Sequence, residues 1–596
     1  MNTKIMKVLL TTLNSKYIHS SLSIRYIKSY CEDIIPNIEI EEYTINQNTE
    51  YVTGEIYRKE PDAVAFSCYI WNIEKTLEIA ERLKIVNPNL KIILGGPEVS
   101  FNGKEILKKN TFIDFIVYGE GEVTFRQLLY KLSNKDNNFK DVKGLVYRKE
   151  NEIIRTEPRP LIKNLDSIPS PFRGDLKDFK NKIVYFESSR GCPFNCQFCL
   201  SSTIPGLRFF SLDRVKKDLK CLIDAGVKQV KFVDRTFNAK KEYALEIMKF
   251  IMEQNVKNIN FHFEVTAHIL DEEILEFLKD VPEGLFQFEI GVQSTNSKTL
   301  KAIDRNTNFE RLSYVVKTVK SYKNIHQHLD LIAGLPYENY KSFKKSFNDV
   351  YKLEPDKLQL GFLKLLKGSG LRQNKEKYGF KFLDKPPYEV LENDYINYSE
   401  MLTLKIIEDL VEKYPNSRSF KNCLEYIIKK YFETPFDFYE KFAKYWTNKG
   451  FHRISHSKTR LYKILKMFYI DYVKNDIDIF NEILKFDFIY NNKSNIPPFI
   501  ETYKDIPKNK KHVFLQNREN LLKYIPEFKE LPAKKIINKV HFEKFPINII
   551  DFINSGYNLK KLQREDKVVL FVYDENKKVF DKCRAYDITK EFIKQE

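Results

Sequence analysis

An α/β fold class is predicted for the chain up to about residue 380, followed by a mainly helical region with some β structure. Three observations predict it. Short apolar, β-branched runs alternate with helical patterns through residues 1–138, which is the signature of a doubly wound parallel sheet. Six more β-α units run through residues 181–380, too few to close an eight-stranded barrel, so a partial (β/α)6 barrel is expected. From Pro386 onward apolar residues recur at helical spacing. Residues 139–180 would form a hairpin and a proline-rich linker, and residues 381–596 a C-terminal extension.

The first sheet is read from Lys7–Thr12, Ile38–Tyr43, Ala63–Cys68, Lys91–Leu94 and Phe115–Tyr118. Helices are expected over Ser21–Ile34, Val52–Lys59 and Ile73–Val86, and from Gly121. Ligands of such sheets bind beyond the strand carboxyl ends. The candidate loops there are Asn14–Ser21, Tyr69–Asn72 and Gly96–Asn102.

Val142–Tyr147 and Glu152–Ile154 read as a hairpin, and Pro158, Pro160, Pro169 and Pro171 mark extended chain. The barrel strands are expected at Lys182–Glu187, Val230–Asp234, Asn260–Thr266, Leu285–Ser294, His326–Ile332 and Lys357–Leu363. Ser211 should cap the helix after the first of them. Further on, helices are expected over Asn393–Lys413, Cys423–Tyr431 and Pro435–Asn448, with Phe438, Phe442, Tyr445 and Trp446 as core aromatics. Val540–Phe545 and Val568–Tyr573 read as strands.

The most informative segment is Ser189-Arg190-Gly191-Cys192-Pro193-Phe194-Asn195-Cys196-Gln197-Phe198-Cys199. It lies between the first barrel strand and the following helix, on the rim where barrel active sites sit. Cubane iron–sulfur clusters usually take four thiolates. Three at this spacing leave one iron open to a non-protein ligand. A zinc knuckle would need a fourth ligand, and no Cys or His follows at suitable spacing.

Cys-x3-Cys-x2-Cys on such a loop resembles the radical S-adenosylmethionine (SAM) superfamily. The resemblance implies that Cys192, Cys196 and Cys199 hold a [4Fe-4S] cluster whose open iron binds SAM, and that reductive cleavage yields a 5′-deoxyadenosyl radical. The first domain resembles the flavodoxin-like cobalamin-binding domain that precedes some radical SAM cores. The matching residues are Gly95-Gly96-Pro97-Glu98-Val99-Ser100 and Tyr118-Gly119-Glu120-Gly121-Glu122. Ser67, Tyr69, Gly95, Gly96, Pro97, Glu98, Ser100, Gly119, Glu120, Gly121 and Glu122 are therefore expected around cobalamin. The Asp-x-His-x-x-Gly cobalt-ligand motif is absent. His19, on the first loop, is expected to make loop or polar contacts rather than to ligate cobalt. The resemblance covers about residues 1–375, and the C-terminal region resembles an extension catalogued as a domain of unknown function.

By the same resemblance, Asp234, Arg235 and Asn238 should meet the SAM methionine group, Glu264 and Thr266 its ribose, and Gly291, Gln293, Ser294 and Arg305 should complete the site. Gly334-Leu335-Pro336 would approach the adenine. Phe194 and Phe198 would screen the cluster. His262, His268, His326 and His328 are candidates for substrate contact. His326 and His328 share one face of a strand.

The bulk properties fit an enzyme of reducing surroundings. Eight cysteines in 596 residues are too few for a disulfide scaffold, and a cytoplasmic site is expected. The net charge of +18 is spread among glutamates, and the run Lys508–Lys511 is short, so no nucleic-acid partner is expected. No signal peptide or membrane span is expected. The expected activity is a cobalamin-dependent radical SAM methyltransferase acting on an unactivated carbon. Its substrate would be a small molecule or peptide rather than RNA, and its electron donor an external protein such as flavodoxin or ferredoxin. Rearrangement or cyclisation without methyl transfer is one alternative, and a non-catalytic cluster- and cobalamin-binding protein another. An RNA methylthiotransferase would need three more cluster cysteines in the first domain, which has Cys31 and Cys68 alone.

Overall fold

The computed structural model describes residues 6–150, 152–503, 506–573 and 583–593. The chain forms two compact units. One runs to Gln327 and also takes in Ile332–Asn339 and Gly361–Asn397; the other holds His328–Leu331, Tyr340–Leu360 and the chain from Tyr398.

The first unit opens with strands β1 (Val8–Asn14), β2 (Ile38–Thr44), β3 (Ala63–Ser67), β4 (Lys91–Gly95) and β5 (Phe115–Val117). They pair in parallel in the order β2-β1-β3-β4-β5. Helices α1 (Leu22–Cys31), α2 (Thr49–Arg58), α3 (Ile73–Val86), α4 (Gly103–Lys109) and α5 (Gly121–Ser133) connect them and the strands that follow. Every residue of β1 and β3 is buried, as strands covered on both faces must be. Two apolar cores follow, one around Leu9, Val64 and Ile92 and one around Val8, Ala63 and Ile93.

The hairpin expected over Val142–Tyr147 and Glu152–Ile154 is present, and it belongs to the first sheet. Strands β6 (Leu145–Lys149) and β7 (Glu152–Arg155) extend the same sheet, antiparallel, beyond β5. Leu145, Val146 and Tyr147 are buried there. Alternation identifies a hairpin but carries no information about which sheet edge it covers.

A second sheet holds β8 (Ile183–Phe186), then β11 (Gln229–Phe232), β12 (Asn260–Glu264), β13 (Phe286–Gln293), β14 (His326–Ala333) and β15 (Lys357–Phe362), in the order β15-β14-β13-β12-β11-β8. Pairing is parallel from β8 through β13. Between β8 and β11 stands a small antiparallel ribbon, β9 (Ser189–Gly191) with β10 (Leu207–Phe209). Ser211 caps the next helix, its hydroxyl accepting from the Arg214 amide at 3.2 Å. Along β13, Phe286, Phe288, Ile290 and Val292 are buried while Gln287, Glu289, Gly291 and Gln293 are partly open. One strand face therefore packs apolar side chains and the other is polar.

The first unit ends with a small hairpin, β16 (Lys381–Phe382) and β17 (Val390–Glu392). The second unit is mainly helical, with helices Tyr398–Lys413, Lys421–Tyr431, Pro435–Asn448, Lys458–Phe468 and Ile477–Asn491. Phe438, Phe442 and Trp446 are fully buried, and Tyr445 is half-buried. Strands β18 (Val540–Phe545), β19 (Lys567–Tyr573) and β20 (Cys583–Asp587) form an antiparallel sheet. No described helix is long and apolar enough to cross a membrane.

Gly96 follows β4 with φ +103°, and a Cβ there would fall 2.6 Å from the Cys68 carbonyl oxygen. Gly54, inside α2, meets nothing nearer than an arginine nitrogen at 4.0 Å. Gly96→Ala should therefore destabilise the first unit by about 2 kcal/mol or more. Gly54→Ala should stabilise it by about 0.5–1 kcal/mol. Thermal unfolding of the two variants beside the parent checks both signs.

Candidate active site

The cluster loop begins where β8 ends. Both Asp234 oxygens are engaged beneath it: Ser188 donates through its amide (3.0 Å) and hydroxyl (2.6 Å), and Ser189 through its hydroxyl (2.6 Å). Asp234 is buried, and burial raises its carboxyl pKa. It braces the turn into β9 rather than opening onto the rim. Asn238 is likewise internal. It donates to the Thr266 carbonyl at 3.0 Å and accepts from the Thr266 amide at 2.9 Å, tying the ends of β11 and β12.

Two of the three sulfurs have an N–H donor, and Cys192 lies beside a hydroxyl that itself donates to the Arg235 carbonyl at 2.7 Å. The Ser201 amide points at Cys199 Sγ (3.4 Å), the Thr236 hydroxyl lies 3.6 Å from Cys192 Sγ, and Arg305 Nη1 lies 3.6 Å from Cys196 Sγ. Arg305 Nη2 also donates to the Gly291 carbonyl. Burial raises the Cys196 thiol pKa while Arg305 pulls it down. N–H groups aimed at sulfur are what a cluster-bound thiolate requires. Among the described residues no three His, Cys, Asp or Glu gather as they would around one metal ion; a cubane distributes its thiolates over separate irons. Phe198 packs on an apolar cluster with Ile303, Leu365 and Leu371.

The loop is fastened to the first sheet by buried charge. Arg190, on β9, pairs with Glu122 (2.6 Å), Glu187 (3.0 Å) and Glu120 (3.6 Å), and Arg208, on β10, with Glu120 (2.7 Å). The Ile162 amide adds a bond to Glu120 at 2.8 Å. Glu120 and Glu122, expected around cobalamin, thus hold the cluster loop. Gly119, at φ +77°, makes the turn before Glu120, and Gly121 opens α5. Glu98 is engaged too, by Lys367 at 2.7 Å and by the Tyr388 hydroxyl.

The three strand-end loops leave large apolar side chains uncovered. Tyr17 is 75% exposed, Trp71 47%, Ile18 45% and Phe101 40%. Trp71 stacks on Tyr69 with ring centres 4.5 Å apart and donates to the Leu13 carbonyl at 3.2 Å. Tyr69 and Ser67 share Ser23 as a hydrogen-bond partner, at 3.1 and 3.0 Å. The Ser100 hydroxyl donates to the Gly96 carbonyl at 2.8 Å, and Pro97 lies on the same exposed turn after Gly95 and Gly96. Exposed aromatics at the carboxyl edge of a doubly wound sheet fit a broad, flat, largely apolar ligand, as a corrin is. His19 Nδ1 is taken by the Tyr185 hydroxyl at 2.9 Å.

The open polar groups lie on the barrel strands. Glu264 has Arg235 at 3.9 Å, and burial raises its pKa. Below them Lys231, Glu289 and His262 form a chain: Glu289 Oε2 meets Lys231 Nζ at 2.8 Å and His262 Nε2 at 2.9 Å. Burial lowers the His262 pKa. Gln293 has φ +68° at the end of β13, and Ser294 donates to the buried Glu338 at 2.7 Å. Sequence reasoning missed Arg190, Arg208, Lys231, Glu289, Lys367 and Tyr388. Charged residues inside otherwise apolar strands were the available signal for Lys231 and Glu289.

Three family profiles match the chain: B12 binding domain over residues 8–129, Radical SAM superfamily over 186–350, and Protein of unknown function (DUF4080) over 376–571. "Uncharacterized methyltransferase PH0819" of Pyrococcus horikoshii is 30% identical over 312 residues, 51% of this chain and 67% of that protein. The chain belongs to the cobalamin-binding radical SAM family. "Cobalamin-dependent radical SAM methyltransferase TokK" of Streptomyces tokunonensis is 27% identical over 354 residues, 55% of this chain and 51% of that one. The chain thus spans about two thirds of the first relative and about half of the second. The fold is also that of the cobalamin-dependent SAM radical enzyme OxsB with aqua-cobalamin bound, at TM-score 0.56 and 15% identity, covering 90% of this chain and 77% of that one.

Burial acting alone would raise the Glu289 pKa, but the His262 hydrogen bond and Lys231 outweigh it and hold it at about 2, against 4.5 ordinarily. A depressed carboxyl stabilises the fold above pH 4.5, and that stabilisation is lost as pH falls toward 2. Glu289→Gln should cost about 3 kcal/mol at pH 7. The deficit should shrink steadily below pH 4.5, read by urea unfolding at several pH values.

Proposed function

We propose that this radical SAM enzyme is a cobalamin-dependent methyltransferase that alkylates an unactivated carbon of a small molecule or peptide. The observation that carries the reading is the pairing of Arg190 and Arg208 with Glu120 and Glu122. It joins a loop suited to a cluster to a sheet edge suited to a corrin. When bound, the cluster and SAM supply hydrogen abstraction at carbon, and cobalamin supplies the methyl group.

The chain's own residues bind and orient. Cys192, Cys196 and Cys199 hold the cluster, with Ser201 and Arg305 donating to the sulfurs of Cys199 and Cys196. Phe194 and Phe198 limit water around it. Glu264 and Arg235 offer a carboxylate and a guanidinium to the polar groups of SAM, and Gln293 with the Gly291 backbone lines the same rim. Lys231, Glu289 and His262 present a fixed charge pattern to substrate. Tyr17, Ile18, Trp71 and Phe101 cover the corrin, with Gly95, Gly96, Pro97 and Ser100 forming its near edge. Electrons come from an external flavodoxin- or ferredoxin-type protein, in the cytoplasm, where thiols stay reduced.

Anaerobic purification with cobalamin supplied, followed by iron, sulfide and cobalt assay, tests the cofactor set. With SAM and dithionite the protein should release 5′-deoxyadenosine. A Cys196→Ala variant should lose both the visible cluster absorption and all SAM cleavage. Zinc in place of iron and sulfide would refute the reading. A product heavier by one methylene unit identifies methyl transfer, and an unchanged carbon count identifies rearrangement or cyclisation.

A further inference from the structure

One segment reaches both candidate cofactor regions. After β15 the chain crosses from Leu363 to Leu371 within the first unit. At one end Lys367 Nζ lies 2.7 Å from Glu98 Oε1, on the loop after β4. The Tyr388 hydroxyl donates to the same oxygen, and the Lys367 ammonium sits 5.3 Å from the Tyr388 ring centre. All three side chains are largely withdrawn from water: Glu98 is 5% exposed and Tyr388 1%. Next, Gly368 adopts φ +89°, and a Cβ there would fall 2.3 Å from a Phe101 ring carbon. Only glycine lets the backbone lie flat on that ring.

Three residues later the same segment is bonded to the cluster loop. The Leu371 amide donates to the carbonyl of Gln197, between Cys196 and Cys199, at 2.9 Å. The stretch between is held internally. Fully buried Ser369 bonds back to the Leu366 carbonyl through its amide (3.0 Å) and hydroxyl (2.8 Å). Leu365 and Leu371 belong to the apolar cluster on which Phe198 packs. The Leu365 amide donates to the Tyr388 carbonyl at 2.9 Å. The segment is thus a short, internally bonded bridge with a buried ion pair at one end and a backbone bond between two cluster cysteines at the other.

We propose that Leu366–Leu371 is a strap that fixes the separation between the cobalamin edge and the cluster, with Lys367 as its positioning residue. The proposal rests on the cofactor assignment of the preceding subsection. The ammonium does not touch the reacting atoms. It anchors Glu98, the carboxylate on the Gly96–Asn102 loop, and the rigid turn carries that anchor to Gln197. Hydrogen abstraction and methyl delivery must act on one substrate carbon, so a fixed separation keeps the two steps in register.

The test uses the protein loaded with cluster and aqua-cobalamin, then reduced to cob(II)alamin and the paramagnetic cluster. Pulsed EPR reads the distance between the two spins, and hydrogen exchange reads the backbone. The parent should give one narrow distance distribution. Lys367→Met should broaden it with iron and cobalt content unchanged. It should also speed amide exchange at 366–371 and 194–199 together, on the order of tenfold, while amides of β18 and β19 keep the parent rate. Lys367→Arg should restore most of the narrow distribution. Should Lys367→Met fail to fold, Tyr388→Phe removes one donor from Glu98 and should give the same, smaller changes. An unbroadened distribution, or exchange that rises at 366–371 while 194–199 stays at the parent rate, overturns the strap. A parent protein that takes up no cobalamin overturns the methyltransferase reading instead, and exchange at 194–199 still decides the strap in cluster-loaded protein.

Discussion

The architecture of the site depends on one buried ionic contact, the two arginines of the β9-β10 ribbon against the glutamates after β5 and β8. Arg190 and Arg208 are 12% and 14% exposed at their side chains, and Glu120 and Glu122 11% and 6%. Charges so far from water are tolerated only when paired and hydrogen-bonded. Breaking such a pair leaves an uncompensated charge at a cost of about 3–5 kcal/mol. The arrangement is therefore not a surface ornament that salt would erase. It obliges the cluster loop to take up one position relative to the first sheet. The loop itself has little regular structure with which to do so.

Around that contact the polar side chains divide into two kinds. Asp234, Asn238, Glu98, Glu120 and Glu122 are saturated by protein partners and shape backbone. Glu264, Arg235 and the exposed aromatics of the sheet edge are the ones with room for a ligand. Sequence treats the two kinds alike, because a carboxylate at a strand end has the same letter whether it braces a turn or meets a substrate. The difference is made by neighbours far away in the chain. For Asp234 these are Ser188 and Ser189, and for Glu98 they are Lys367 and Tyr388.

Much of the fold was nevertheless legible. The parallel strands of both sheets follow from β-branched runs between helical patterns, since local periodicity reports which face is buried. The three cysteines declared the loop because thiolates at that spacing have few other uses. The edge position of β6 and β7 was not readable, because pairing partners are set by tertiary docking. The third strand of the C-terminal sheet, Cys583–Asp587, escaped because its polar sequence lacks a clear alternation. The strap was invisible for the same reason as the ion pairs. Lys367 and Glu98 are far apart in sequence, and neither carries a motif.

The tryptophan content gives the molecule an optical handle. There are two such residues. Trp446 is sealed within the helices of the second unit, and Trp71 stands half open at the carboxyl edge of the first sheet. Intrinsic emission is therefore the sum of a blue component from a dry interior and a red one from a wet loop. A corrin laid over Trp71 would quench the second.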